Sequence, residues 1–137
     1  MATERHTFSK DEKLCSQKLI DDIFHKKDTQ SFFRFPLIAV WKFTALPSTA
    51  PAQVLFSIPA KTFKKAHDRN RIRRQLREIY RLHKNNLNDF LIAKQIQCAL
   101  VFMYVAKEKL PYQTLESACT ELLKHISKEE GKLKIRN

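Results

Sequence analysis

Glycine is almost absent from this chain, with a single residue, Gly131, among 137. The phosphate loops of nucleotide-binding enzymes need several glycines at fixed spacing, because the backbone must turn sharply and approach a phosphate closely. This sequence can form neither a G-x-G-x-x-G loop nor a Walker-type loop. Enzymes that depend on a bound nucleotide cofactor are therefore excluded.

Cysteine and histidine are few and scattered. The three cysteines, Cys15, Cys98 and Cys119, form no C-x-x-C pair, and the five histidines show no H-x-x-x-H spacing. This pattern suits neither a disulfide framework nor a zinc site. We expect the cysteines to be small buried hydrophobic residues and the protein to carry no metal site.

Long hydrophobic runs are also missing. No apolar stretch approaches the roughly 18 residues of a membrane-spanning helix, and the first residues, MATERHTFSKDEK, contain no apolar signal-peptide core. We therefore expect a cytoplasmic protein with no membrane partner. The length of 137 residues predicts a single domain over residues 1–128, followed by a basic tail at 129–137.

Acidic residues are outnumbered, 14 against 26 lysines and arginines, which gives a net charge of +12. Between Lys61 and Lys84 lie ten basic residues and only two acidic ones, Asp68 and Glu78, a net charge of +8. Charges this dense repel one another unless a polyanion neutralises them. Arginine binds phosphate through two parallel hydrogen bonds and also stacks on bases, so the segment predicts a nucleic-acid partner, either RNA or DNA.

Helical spacing of apolar residues recurs three times along the chain. It predicts a first helix from Ser16 to Lys26, a second through the basic segment, and a third after Pro111. In the second helix Ile72, Leu76 and Ile79 form one stripe that we expect to face the core, which leaves the arginines on the solvent side.

Strand-like apolar runs lie at 35–43, 53–58 and 96–106, and a polar turn is expected near 85–95. The first two strands are predicted to be neighbours, and the third, apolar on both faces, is predicted to be central. The element order predicts an α+β protein in which about three helices cover one face of a small sheet, a two-layer arrangement.

The basic segment contains a recognisable motif. The string KTFKKAHDRNRIRRQLREIYRL resembles the signature of the bacterial ribonuclease P protein subunit, an Ala-x-x-Arg-Asn-Arg-x-Lys/Arg-Arg core with basic residues before it. The stretches HTFSKDEKL, FSIPAK and ALVFMYVAKEKLPYQTLESACTELLKHI also resemble that family. Three places depart from it. Lys64 and Lys65 stand where many members have a glycine, Ala60 stands where a lysine is frequent, and Ile20-x-x-x-Phe24 stands where the family often has Phe-x-x-x-Phe.

The resemblance implies an α/β sandwich with a left-handed βαβ crossover, unusual because such crossovers are nearly always right-handed. It also implies the protein subunit of the endoribonuclease that removes the 5′ leader from precursor transfer RNA. In that family a catalytic RNA and its Mg²⁺ ions perform the chemistry, so we expect no catalytic residue on this protein, and we expect the partner RNA and the substrate to hold the Mg²⁺.

The resemblance implies two binding surfaces. The first binds the catalytic RNA, and the residues matched to it are Lys61, Lys64, Lys65, Arg69, Asn70, Arg71, Arg73, Arg74, Arg77 and Arg81. The second is a cleft for the single-stranded leader, lined by Ile20, Phe24 and Trp41. Trp41 is equally compatible with a place in the core, because one face of the sheet must pack on helices.

Three other classes of protein fit parts of the sequence. A structural protein that binds ribosomal RNA would explain the charge but not the Arg-Asn-Arg core. A DNA-binding regulator would need a helix-turn-helix, whereas the segment before the basic helix is predicted to be a strand. A protein-only nuclease would need acidic residues that converge on metal ions, and here they lie mostly near the first helix.

Overall fold

The computed structural model describes residues 8–25 and 28–128. A short 3-10 helix, Lys10–Glu12, is followed by the regular elements, which are α1 (Gln17–Phe24), β1 (Gln30–Arg34), β2 (Leu37–Phe43), β3 (Ala52–Ser57), α2 (Ala66–His83), α3 (Asn85–Lys94), β4 (Cys98–Tyr104) and α4 (Tyr112–Ser127). The predicted α+β class is confirmed. The predicted basic tail at 129–137 lies outside the described residues.

The four strands form one sheet in the order β1-β2-β4-β3. Strand β2 runs antiparallel to both β1 and β4, whereas β3 runs parallel to β4. The prediction that β2 and β3 are neighbours is wrong, because β4 lies between them and pairs with both. The predicted central position of β4 is confirmed, and six of its seven residues are buried. Helices α2 and α3 connect the parallel strands β3 and β4; the left-handed sense of this crossover stays a prediction.

Two elements were not predicted. The run QSFFR forms the edge strand β1, and the strand predicted from residue 35 begins at Leu37, after a turn that contains the cis peptide Phe35-Pro36. The polar turn predicted near 85–95 is wrong, because these residues form α3 and bury Leu87 and Leu91 one helical turn apart. Helix α3 ends at Gln95, which takes a left-handed conformation with φ of 59°.

The two faces of the sheet are covered unequally. Helices α2, α3 and α4 pack on one face and enclose the larger core, which includes Leu37, Trp41 and Phe102. Helix α1 lies on the opposite face, where Ile23 packs with Val40 and Val101. Helices were predicted on one face only, so the position of α1 is a correction.

Helix α1 begins as predicted. The backbone N–H of Leu19 donates to the Ser16 hydroxyl oxygen at 3.3 Å, which satisfies one of the otherwise unpaired amides at a helix start. The helix extends to Phe24, and its predicted end, Lys26, lies outside the described residues.

A buried ion pair joins the amino-terminal segment to the helical layer. The ammonium group of Lys84, between α2 and α3, donates to both carboxylate oxygens of Glu12 in the 3-10 helix. The adjoining residue Leu14 donates its backbone N–H to the carbonyl oxygen of Val54 at 3.1 Å. The segment is therefore attached along the β3 edge of the sheet as well as to the helices.

The cysteines divide into two kinds. Cys98 and Cys119 are buried, as predicted, and burial raises the pKa of each thiol to about 12. Cys15 is exposed, so the prediction is wrong for this residue. It lies between the edge-bound segment and α1, where the chain passes over the surface.

Candidate nucleic-acid interface

The basic segment forms α2, and its two sides have the predicted character. Ile72, Leu76 and Ile79 are buried against the core, together with Tyr80. Arg71, Arg74 and Arg77 are exposed. A helix of 18 residues thus presents a cationic face about 27 Å long, at 1.5 Å per residue, to solvent.

The arginines of α2 are not equivalent. The guanidinium of Arg69 donates to the carbonyl oxygens of Phe63 at 2.7 Å and Lys64 at 3.0 Å, so it stabilises the loop before the helix. Arg73 donates to the side-chain oxygen of Asn70 at 2.8 Å. Partial burial, and then the charges of neighbouring arginines, lower the pKa of Arg73.

Arg81, in the last turn of α2, forms an ion pair with Glu78 at 2.6 Å. The hydrogen bond between the two side chains raises the pKa of Arg81 and lowers the pKa of Glu78. Glu78 is exposed and Arg81 is half-buried, and the pair offers a polyanion less positive charge than Arg81 alone would. Arg71 differs from Arg81, because no ion pair of Arg71 is found in the described part of the chain.

Two lysine-bearing loops meet beside the start of α2. The loop from β3 to α2 carries the predicted residues Lys61, Lys64 and Lys65, all exposed. The loop from β4 to α4 carries Lys107 and Lys109, which sequence reasoning missed. Because β3 and β4 are parallel, their carboxyl ends lie at the same edge of the sheet, and the two loops follow those ends.

Specific contacts hold these loops together. The ammonium group of Lys109 lies 3.0 Å from a carboxylate oxygen of Asp68 in the first turn of α2, and this hydrogen bond lowers the pKa of Asp68. The rings of Phe63 and Tyr104 pack with centroids 5.7 Å apart, and the Tyr104 hydroxyl donates to the carbonyl oxygen of Glu108 at 2.6 Å. The parallel pairing of β3 with β4 brings Lys107 and Lys109 to this site, and that pairing leaves no periodic signal in the sequence.

The amino-terminal segment borders the middle of α2. Phe8 and Lys13 line a shallow groove with Arg74, Arg77 and Arg81. The ring of Phe8 packs on Tyr80, with centroids 5.8 Å apart. Lys13 therefore extends the cationic face of α2 by one residue that was not predicted to belong to it.

Helix α1 and the part of the sheet that it leaves open border the predicted cleft. The helix covers Val40 and Val101 and leaves Ile38 and Met103 half-buried. Ile38 and Met103 are paired with each other at the end of the sheet that lies beside the lysine-bearing loops. On α1 itself, Ile20 is half-buried and Phe24 is 46% exposed. These two predicted residues thus lie on the helix that borders the open part of the sheet.

Trp41 does not belong to this cleft. It is fully buried on the face covered by α4, and its ring lies edge-on to that of His125 with centroids 5.9 Å apart. Successive residues of a strand point to opposite faces, so Val40 and Lys42 face α1 while Trp41 faces α4. The assignment of Trp41 to the leader cleft is therefore wrong, and its place in the core is the correct alternative.

Within residues 8–25 and 28–128, no three acidic, histidine or cysteine side chains come together as a metal site would require. Asp22 in α1 lies 3.7 Å from Lys42 and 3.4 Å from Lys18, so it is engaged in ion pairs. The described residues also include no helix long and apolar enough to cross a membrane.

Comparison with known proteins identifies a single family. The family model described as Ribonuclease P matches residues 8–127. The Ribonuclease P protein component of Porphyromonas gingivalis is 34% identical over 119 residues, which cover 87% of this chain and 85% of that relative. A protein of the same description from Chlorobaculum tepidum is 43% identical over 61 residues, which cover 42% of this chain and 40% of the relative.

Solved structures support the same fold. The RNase P protein from Thermotoga maritima superposes with a TM-score of 0.65 at 20% identity, covering 83% of this chain and 96% of that one. The Staphylococcus aureus RNase P protein superposes with a TM-score of 0.62 at 16% identity, covering 85% of this chain and 95% of that one.

Proposed function

Because the chain belongs to the ribonuclease P protein family, whose members are components of an endoribonuclease that processes transfer RNA, we propose that it binds RNA on two distinct surfaces. One surface binds the catalytic RNA, and the other binds the 5′ leader of precursor transfer RNA. The observation that carries this proposal is the convergence of α2 and the two lysine-bearing loops at one edge of the sheet, next to the open part of the α1 cleft.

The catalytic RNA binds along α2. Exposed arginines on consecutive turns match a phosphate backbone, since each guanidinium can donate two hydrogen bonds to one phosphate. Arg71, Arg74 and Arg77 make these contacts directly. Arg69 acts through the loop that it stabilises, and that loop positions Lys61 and Lys64 for further phosphates.

The leader lies in the cleft between α1 and the sheet. Single-stranded RNA binds where aromatic side chains stack on its bases and cationic groups follow its backbone. Phe24 supplies the exposed ring, and Ile20, Ile38 and Met103 supply the apolar floor. The lysine loops at the adjoining edge supply the positive charge.

The Mg²⁺ ions that stabilise developing charge on the scissile phosphate are assigned to the catalytic RNA and the substrate. Among the described residues, no cluster of acidic, histidine or cysteine side chains comes together to hold these ions. The protein's own part is to bind and orient the precursor relative to the catalytic RNA, in the cytoplasm where precursors are processed.

The test is cleavage of a 5′-extended precursor transfer RNA at low Mg²⁺, with the purified protein alone, the cognate catalytic RNA alone, and both together. We expect cleavage only with both. Cleavage by the protein alone would indicate a protein-only nuclease. If the protein left the activity of the RNA unchanged, the proposal would be overturned. The result would favour a structural protein that binds ribosomal RNA.

A further inference from the structure

Two phenylalanines are exposed at the tip of the β1–β2 hairpin. Phe33, next to last in β1, is 52% exposed, and Phe35, in the turn, is 57% exposed. Together with Phe24 they are the exposed aromatic residues among the large hydrophobic side chains of the described chain. Neither the basic helix nor the α1 cleft accounts for the hairpin pair.

The pairing of β1 with β2 determines which face Phe33 occupies. Phe33 lies directly opposite Ile38, and opposed residues of antiparallel strands project to the same side. Ile38 packs with the residues under α1. The adjoining Phe32 projects to the other side, where its ring stacks on that of His125 with centroids 3.7 Å apart. Phe33 is therefore on the α1 face of the sheet.

A row of side chains continues from Phe33 across the whole sheet. Ile38 is paired with Met103 in β4, and Met103 is paired with Ser57 in β3. Three strand spacings of about 4.8 Å make this row about 14 Å long. We call these four residues, Phe33, Ile38, Met103 and Ser57, the cross-sheet row. Phe33 is exposed, and the other three members are half-buried.

The two ends of the cross-sheet row have different chemistry. Ser57 precedes the loop that carries Lys61 and Lys64, so that end is cationic. The Phe33 end is aromatic. The nearby cation Arg34 is already engaged, because it pairs with Glu121 at 2.5 Å and lies 4.7 Å above the ring of Phe32.

Single-stranded RNA carries charged phosphates along its backbone and bases that can stack on an exposed ring, so it fits a row that is cationic at one end and aromatic at the other. The positive charge of the adjoining loops favours RNA over an apolar protein segment. We propose that the leader crosses the sheet along the cross-sheet row and that Phe33 stacks on a leader base at the end farthest from the lysine loops. This inference rests on the proposed leader cleft and extends it by one aromatic contact on the edge strand.

The experiment measures the affinity of the holoenzyme, the protein with its cognate catalytic RNA, for precursors whose leaders lengthen one nucleotide at a time. With the wild-type protein, affinity should rise with leader length and then level off. Phe33→Ala should level off at a shorter leader, with about tenfold weaker binding of the longest precursors, since base stacking of this kind is worth about 1 to 3 kcal/mol. Mature transfer RNA should bind both proteins equally.

Further variants separate stacking from folding. Phe33→Leu keeps an apolar side chain without a ring and should behave like Phe33→Ala, whereas Phe33→Tyr should match the wild type. Phe35→Ala removes an equally exposed ring that lines a groove on the α4 side, and it should leave the length profile unchanged. Thermal melting should be the same for all four variants.

Each failure has a distinct meaning. A wild-type profile that does not depend on leader length would overturn both the leader cleft and this inference. A wild-type profile that does depend on length, with Phe33→Ala superimposed on it, would overturn this inference alone. The same shift in Phe35→Ala would assign the effect to the hairpin as a whole and reject stacking on Phe33. Weaker binding of Phe33→Ala to the catalytic RNA without precursor would assign the ring to that RNA instead.

Discussion

Arg69 reaches back from the first turn of α2 to the carbonyl oxygen of Phe63, 2.7 Å away. A second hydrogen bond, to the carbonyl oxygen of Lys64, closes the loop between β3 and α2. The first arginine of the Arg-Asn-Arg core is thus part of the protein's own architecture. The second, Arg71, points into solvent.

Arg69→Ala should lower both stability and RNA affinity. Hydrogen bonds from a charged donor contribute about 1.5 kcal/mol or more, and two carbonyl oxygens would lose theirs. Urea denaturation should show a lower midpoint for Arg69→Ala and an unchanged midpoint for the matched control Arg71→Ala. Equal midpoints for both would contradict a structural role for Arg69.

Arg71→Ala should weaken RNA binding through the loss of a single phosphate contact. Such a contact contributes about 0.9 to the slope of log affinity against log salt on duplex, so the slope should fall by roughly one unit. Filter binding of the catalytic RNA over a salt series measures it. Arg81→Ala is the control and should change the slope less, because Arg81 is already paired with Glu78. Unchanged affinity and slope for Arg71→Ala would remove it from the interface.

Phe24→Ala should weaken the binding of precursors that carry a leader, by about 1 to 3 kcal/mol if one base stacks on the ring. Binding of mature transfer RNA should be nearly unchanged. Ile92→Ala, which removes a 62% exposed side chain on α3, is the control and should affect neither ligand. Equal losses for precursor and mature transfer RNA would mean that Phe24 supports the fold and does not contact the leader.

Glu12→Ala should destabilise the protein strongly. Removing the carboxylate of a buried ion pair takes away the charge that compensates the buried ammonium group, which typically costs about 3 to 5 kcal/mol. Glu12 and Lys84 are both buried, so equilibrium unfolding should show a loss in this range. The double variant Glu12→Leu, Lys84→Met should recover part of it, because no isolated charge remains. A single variant as stable as the wild type would show that the pair does not hold the amino-terminal segment.

The native protein should expose a single reactive thiol. With a pKa of about 12, Cys98 and Cys119 carry a thiolate in only about one molecule in 10,000 at pH 8, and both are buried. A thiol reagent should therefore label Cys15 rapidly and the other two only after denaturation. Rapid labelling of more than one thiol in the native state would contradict the burial of Cys98 and Cys119 in the core.

The raised pKa values of the same two thiols should make the stability of the folded protein depend on pH. Their folded pKa values are raised above the ordinary value of 9.0, so above that pH the folded protein binds more protons than the unfolded chain. The free energy of unfolding should therefore fall as pH rises from about 9 toward 12. Cys98→Ala and Cys119→Ala should each reduce this dependence, although Ala leaves a small cavity.

The sequence of β2 does not show which face of the sheet Trp41 occupies. The run Leu37–Phe43 is apolar at nearly every position, so the alternation of side chains along the strand does not distinguish the residues under α4 from those under α1. The structure places Trp41 under α4 because α4 and α1 lie on opposite sides of the sheet. Ile20 and Phe24 lie on α1, beside the part of the sheet that this helix leaves open, and their contact with the leader stays a prediction.

The missed elements have similar causes. The five residues of β1 include one exposed phenylalanine, one half-buried phenylalanine and no fully buried side chain, so the strand is recognisable only through its pairing with β2. The α3 segment begins with polar residues that are typical of a turn, and its helix is stabilised by the burial of Leu87 and Leu91 in the core. In both segments tertiary contacts outweigh a weak local preference.

The amino-acid sequence by itself determined the basic helix, its buried stripe, the family and the RNA partner, because charge density, helical period and the Arg-Asn-Arg core are all local in the chain. Only the tertiary structure decided that Arg69 serves the loop, that Lys107 and Lys109 join Lys61 and Lys64, and that Phe33 continues the row from Met103. These relations join residues that are far apart in sequence. Parallel strand pairing and the order of strands in the sheet bring the residues together, and neither leaves a periodic signal along the chain.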